Sequence, residues 1–229
     1  MKKAIFYTLF FMSTSLMAQS TIRGLQVSNT IDGLYSGLNA RGELINNPND
    51  DTYDGSPLLS SEKHNVLTIY SKDNKVFTFS QGNYNTKEDK FVVWLSKDSI
   101  YQFSNSEIDS ATINDLKFKR IKSQNDERNY AILAETNSFS VVKGYFFSTL
   151  EADINPLTGK RLSKDKIVVK ESVFIYKNGN LEEFKLSKKN VLKLMSNKRK
   201  EIQGYVAKNK LSYKSDRDLK RIFKYYDSL

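Results

Sequence analysis

Asp50, Thr52 and Asp54 stand two residues apart, and Gly55 follows them directly. Oxygen donors at alternate positions with a glycine at the sixth form the opening half of a calcium loop, because a hard divalent cation gathers several oxygens from one tight turn. The closing half departs from that pattern. The twelfth position, which needs a bidentate acid, is Ser61, and Glu62 comes one place late. A solvated acidic turn accounts for the same composition. Asp50, Thr52 and Asp54 are the metal candidates of the chain, and calcium is the cofactor to which they point.

Other reactive groups are sparse. His64 is the single histidine, with no second imidazole to share a metal and no cysteine to activate, so it reads as a polar residue at a strand end. The absence of cysteine excludes disulfides, thiolate metal sites, thiol nucleophiles and attachment through a lipidated cysteine. Glu88, Asp89, Glu151, Asp153 and Glu171 offer carboxylates for acid–base hydrolysis of a glycoside, but their spacing does not place two of them across a sugar. Asn155-Pro156-Leu157-Thr158-Gly159-Lys160 ends in Thr-Gly-Lys without the spaced glycines of a phosphate-binding loop. No serine lies in a Gly-x-Ser-x-Gly elbow. No catalytic residue is assigned on these grounds.

Charge is the stronger signal. The chain carries 36 Lys and Arg against 26 Asp and Glu, a net of +10. Residues 19–180 hold 20 of each sign, whereas residues 181–229 hold 14 basic and 6 acidic side chains. A confined excess of this kind attracts an acidic surface. Lys193, Lys198, Arg199, Lys200, Arg217, Lys220, Arg221 and Lys224 are the candidate contacts. Their expected partner is an acidic envelope component, either anionic lipid, polysaccharide or protein, and nucleic acid is not expected for an exported chain. A solvated helix face that maintains solubility is the plain alternative.

The elements that must position these residues follow from periodicity. Lys2 and Lys3, an uncharged apolar run over residues 4–12 and Ala18 before Gln19 have the layout of a cleavable signal peptide spanning residues 1–18. That run is too short to cross a bilayer, and no later stretch is long and apolar enough to do so. Residues 19–62, rich in Asn, Gly, Asp and Ser, predict an irregular segment with one or two short strands. Residues 63–186 show short runs rich in Phe, Tyr, Val and Ile with turn residues between them. Asn178-Gly179 is the clearest turn, since the pair supplies the two positive φ angles of a type I′ hairpin. No helices alternate with these runs, so the fold class is mainly β (α+β), an antiparallel sheet or sandwich of about eight or nine strands.

Residues 187–229 predict two or three short helices in a basic C-terminal subdomain. Ser187 is placed to cap the first, and a second covers 197–208. Ser215 with Asp218 resembles a capping box, and Leu219, Ile222, Phe223 and Tyr226 follow on one helical face.

The tail Asn209-Lys210-Leu211-Ser212-Tyr213-Lys214-Ser215-Asp216-Arg217-Asp218-Leu219, the closing Tyr225-Tyr226-Asp227-Ser228-Leu229, the Asn-Gly hairpin and the Ala18-Gln19 junction resemble a group of uncharacterised exported β-rich proteins of Bacteroidetes bacteria with a lysine-rich helical C-terminal end. The resemblance spans residues 56–229. It implies a periplasmic or surface location and no particular activity. The sequence thus predicts an exported protein, periplasmic or secreted, that acts as a non-enzymatic binding or scaffolding module. Peripheral attachment to an anionic membrane or polysaccharide, carriage of a lipid or other apolar ligand, and carboxylate-based hydrolysis are the alternatives. Mass spectrometry of the exported protein is expected to find its N terminus within a residue or two of Gln19.

Overall fold

A computed structural model describes residues 42–46 and 52–229, apart from Lys63, Lys97, Asp98 and Asn125. The expected signal peptide and Asp50 lie outside these residues. The protein is mainly β, with thirteen strands among the described residues and three short α-helices at the end. Among the described residues, no helix is long and apolar enough to cross a membrane.

Nine strands realise the runs expected from the sequence. They are β3 (Leu67–Ser71), β4 (Val76–Phe79), β6 (Lys90–Trp94), β7 (Ser99–Phe103), β9 (Leu116–Lys122), β10 (Glu127–Glu135), β11 (Ser140–Leu150), β12 (Asp165–Lys177) and β13 (Asn180–Glu183). Asn178 and Gly179 adopt φ of 52° and 79° between β12 and β13, as a type I′ turn requires. Asn74 and Asn114 take left-handed φ in the β3 and β9 turns, where an asparagine tolerates that region better than most residues.

Four strands exceed the expected count: β1 (Gly42–Asn46), β2 (Tyr53–Asp54), β5 (Gly82–Asn85) and β8 (Ile108–Ile113). The first two fall in the segment where one or two short strands were expected. β5 reads Gly-Asn-Tyr-Asn, which is turn composition, yet all four residues are buried. Its amide side chains supply local bonds: Asn83 bonds both backbone groups of Ser60, and Asn85 accepts from the N–H groups of Lys87 and Glu88. Tertiary burial overrides propensity there.

The strands form a four-stranded sheet ordered β1-β7-β6-β5 and a nine-stranded sheet ordered β13-β12-β11-β10-β9-β8-β3-β4, to which β2 adds by pairing in parallel with β12. The two sheets share one apolar core. Leu67, Ile69, Phe77, Phe79, Phe118 and Tyr145 from the large sheet meet Tyr84, Phe91, Val93, Tyr101 and Phe103 from the small one. Ring pairs cross the junction, with Phe79 5.5 Å from Phe103 and Tyr84 5.3 Å from Phe118. Such pairs add about 0.5–1.5 kcal/mol each beyond burial.

Asp89, in the β5–β6 turn, bolts the sheets together. Its carboxylate accepts from the Tyr84 hydroxyl at 2.5 Å, the Arg120 guanidinium at 2.8 Å and the Asn129 backbone N–H at 3.0 Å. Burial, followed by the Asp89 charge, pushes the Tyr84 hydroxyl far above its ordinary pKa of 10.0.

The same face of the large sheet carries a second core. Phe118, Ala131, Lys143 and Val173 are direct cross-strand neighbours over β9 to β12, so they share that face. Tyr145, two residues beyond Lys143, belongs to the inter-sheet core, whereas Val141, two residues before it, belongs to the helical core. There α1 (Lys188–Leu194), a 3₁₀ turn (Ser196–Lys198), α2 (Arg199–Lys208) and α3 (Asp216–Asp227) cover β10 to β12. A register irregularity between Ile132 and Ala134 inserts Leu133 into this cluster. The helical end draws much of its apolar contact from the sheet, through Leu133, Val141, Val173 and Ile175.

Gly82 marks the tightest approach in the sandwich, where an added Cβ would collide with the Cβ of Leu67. Gly82→Ala is expected to cost about 1–3 kcal/mol and lower the melting temperature by about 3–10 °C in a circular-dichroism melt.

Candidate anion-binding surface

α3 displays the cations because its other side is consumed by packing. The Ser215 hydroxyl accepts from the Asp218 N–H at 3.4 Å and starts the helix. Asp218 does not complete a reciprocal box; its carboxylate accepts from the Ser212 N–H at 2.9 Å and secures the preceding turn. Leu219, Ile222 and Phe223 are fully buried, each contributing roughly 1.5–3 kcal/mol of apolar burial. Phe139 meets Phe223 edge-on at 5.9 Å. With that face fixed to the sheet, Arg217, Lys220, Arg221 and Lys224 recur at helical spacing on the far side, and all four are exposed.

The other four expected contacts gather at the corner between α1 and α2. Lys193 ends α1, Lys198 closes the 3₁₀ turn, and Arg199 and Lys200 open α2. All but the half-buried Lys198 are exposed. Buried Met195 anchors the corner, and the Tyr226 hydroxyl bonds the Asn197 side-chain oxygen at 3.2 Å, which joins the end of α3 to it. Tyr205 and Tyr225 stack at 4.0 Å between α2 and α3.

Among the described residues, none of the eight cations forms an ion pair. Lys220 instead donates to the Asp115 carbonyl at 3.2 Å, placing α3 against the β8–β9 turn. Lys117, on the β9 side of that turn, thereby joins Lys220 and Lys224 around an open groove of about 450 Å³ floored by Ile132, Leu133 and Ala134. The acids at this groove are already engaged. Glu135 holds Lys119 at 2.7 Å, and Asp227 accepts from the backbone and side chain of Asn137 at 3.3 Å. Sequence reasoning missed Lys117, because only the packing of α3 on β10 brings it to the stripe.

Lys143 sits beneath the stripe with its side chain 11% exposed, bonded to Asp216 at 2.6 Å and Glu171 at 3.1 Å. Burial opposes its charge, but the hydrogen bonds to Asp216 and Glu171 outweigh burial and hold its pKa above the ordinary 10.5.

The remaining sequence candidates are scattered. Thr52 lies in a turn and Asp54 in β2, opposite Lys166, while Asp50 is outside the described residues. Among the described residues, no group of three or more His, Asp or Glu side chains gathers in a metal-binding arrangement. His64 is exposed ahead of β3. Of the carboxylates, Asp89 and Glu171 serve the structural contacts above, and Glu88, Glu151 and Asp153 are on exposed turns or have exposed or half-buried surroundings with no acid bonded to them. The Thr158-Gly159-Lys160 segment is a turn between two strands.

Comparisons of the chain with protein-family models, with curated proteins and with solved structures find no match.

Alkaline pH probes the buried hydroxyls of the two sheets together with the Lys143 ammonium beneath α3. Lys143 and the buried Tyr84, Tyr130 and Tyr145 all have raised pKa values; burial is the leading cause for the tyrosines, whereas for Lys143 the bonds to Asp216 and Glu171 raise it against burial. A raised value means that the native state holds its proton more tightly than the unfolded state. The associated stability is complete below pH 10.0 for the tyrosines and below pH 10.5 for Lys143, and is lost as pH climbs towards the folded-state values. Urea midpoints should therefore fall above pH 10.0, and Lys143→Met should flatten the part of that decline above pH 10.5.

Proposed function

We propose that this protein is a non-enzymatic module of the bacterial envelope that binds or scaffolds an acidic partner through the cationic stripe of α3 and the α1–α2 corner. One observation carries the reading: Arg217, Lys220, Arg221 and Lys224 are aligned, exposed and free of ion pairs among the described residues. Aligned like charges repel one another, so an anionic surface that neutralises them gains both attraction and relief of that repulsion. The helix rests on a sheet through three fully buried side chains, which presents the charges on a rigid support. The leader-like first residues and the balanced charge of residues 19–180 support export and confine the attraction to this end.

The packed interface between sheet and helices gives the apolar-carrier alternative little support. Leu133, Val141, Val191, Met195, Ile202, Leu219, Ile222 and Phe223 fill that space with at most 1% exposure.

Co-sedimentation with phosphatidylglycerol vesicles, and with an acidic polysaccharide, across a salt series tests the reading. Binding should weaken steeply as salt rises. Replacing Arg217, Lys220, Arg221 and Lys224 together by alanine should weaken vesicle binding by about a thousandfold, at roughly 1 kcal/mol per cation. Binding of the parent protein to neither probe at low salt, or binding indifferent to salt, would refute it.

A further inference from the structure

Eight large apolar side chains are exposed among the described residues, and half of them lie between the last residue of β11 and the start of β12. Leu150 is 52% exposed, Ile154 61%, Leu162 65%, and Leu157, in the turn itself, 94%. The others, Leu44, Val66, Tyr70 and Leu229, are dispersed along the chain. Isolated exposed leucines need no explanation, but four within thirteen consecutive residues mark a contact surface.

The tip is a built turn. The Asn155 side-chain oxygen accepts from the N–H groups of Leu157 at 2.9 Å and Thr158 at 3.2 Å. The Gly159 N–H donates to the Asn155 carbonyl at 2.9 Å, and the Asn155 N–H to the Lys160 carbonyl at 2.8 Å. Ile154 and Arg161 form an antiparallel bridge below, and the Leu162 N–H donates to the Asp153 carbonyl at 2.8 Å. Consecutive N–H groups around Leu157 are thus satisfied within the turn. An apolar medium demands that of any backbone entering it, whereas water does not.

We propose that this tip inserts into the interfacial region of a lipid leaflet, with Leu157 leading and Ile154 and Leu162 following. Four side chains on a convex turn cannot supply the 20–30 residues and about 800 Å² per partner that a stable protein–protein interface buries. A leaflet accepts a few apolar side chains at a time, with affinity set by the apolar surface buried. Lys160, exposed beside Leu157, can lay its stem along the leaflet and keep its ammonium at the headgroups. Residues 150–166 carry Lys160, Arg161, Lys164 and Lys166 against Glu151, Asp153 and Asp165, so the charge is nearly balanced and insertion, not attraction, supplies the affinity. The tip and the helical layer occupy opposite ends of β11. The Lys143–Asp216 contact and the Asn137–Asp227 contact direct α3 away from Leu150, and the 11 residues of β11 span roughly 33 Å. A flat membrane that receives the tip therefore lies at the other end of β11 from α3, and the proposal does not rest on the anion-binding reading.

The chain contains no cysteine, so Thr158→Cys places a single environment-sensitive fluorophore beside Leu157, and Ser138→Cys places one at the opposite end. Each labelled chain is mixed with phosphatidylcholine vesicles, with or without phosphatidylglycerol, at low and high salt. With phosphatidylcholine at either salt, and with phosphatidylglycerol at high salt where charge attraction is screened, the Thr158 label is expected to shift to the blue and to be quenched by brominated acyl chains, while the Ser138 label stays in water. Adding Leu157→Asp and Leu162→Asp should weaken the Thr158 response by about tenfold or more with an unchanged melting curve, since both side chains are exposed. A Thr158 label that remains in water while the chain sediments with vesicles overturns the proposal, as does an unaltered response from the aspartate variant. A shift produced by envelope proteins but not by lipid overturns it in favour of a protein pocket. The phosphatidylcholine arm carries this test alone, because the binding assigned to α3 requires anionic lipid and low salt.

Discussion

One ammonium group divides a single sheet face into two dry compartments. Lys143 lies between Tyr145, which faces the small sheet, and Val141, which faces the helices. An apolar residue there would merge the two cores. A lysine keeps them separate but carries a charge into a poorly solvated place, and that charge must be matched. Glu171 matches it from the neighbouring strand and Asp216 from the first turn of α3. The Asp216 contact also complements the positive end of the helix dipole. Position and direction of α3 follow from this contact together with the burial of Leu219, Ile222 and Phe223, and the direction of α3 decides which way its cations face.

What could be read in the sequence was what short-range chemistry dictates. Asn178-Gly179 announces its turn through backbone sterics alone, Ser187 and Ser215 cap their helices with their own hydroxyls, and the α3 stripe is a matter of counting by three and four. β5 escaped because its residues favour turns in isolation, and the strand exists only where Tyr84 has an aromatic core to enter. β8 escaped because Asp109, Ser110 and Thr112 dilute its apolar pattern. Lys143 looked like one more lysine in a strand, since its partners sit 28 and 73 residues away. The charge excess of the tail was visible as composition, but Lys117 could join it only through packing.

The two ends of β11 carry unlike groups. The long β11–β12 hairpin forms the shaft, its turn carries apolar side chains, and its base carries a basic helical layer.

The parallel contact between β2 and β12 has a consequence for how the chain assembles. Consecutive hairpins from β8 to β13 close small loops and can form as soon as their residues exist. β1 must wait for β7, and β2 must wait for β12, whose Asp165 lies more than a hundred residues after Tyr53. A chain made from its N terminus therefore produces first the pieces that it can use last. Tyr53 and Asp54 thus act as a clasp made early and fastened late, and only the β12 end of the meander gives that clasp something to close upon.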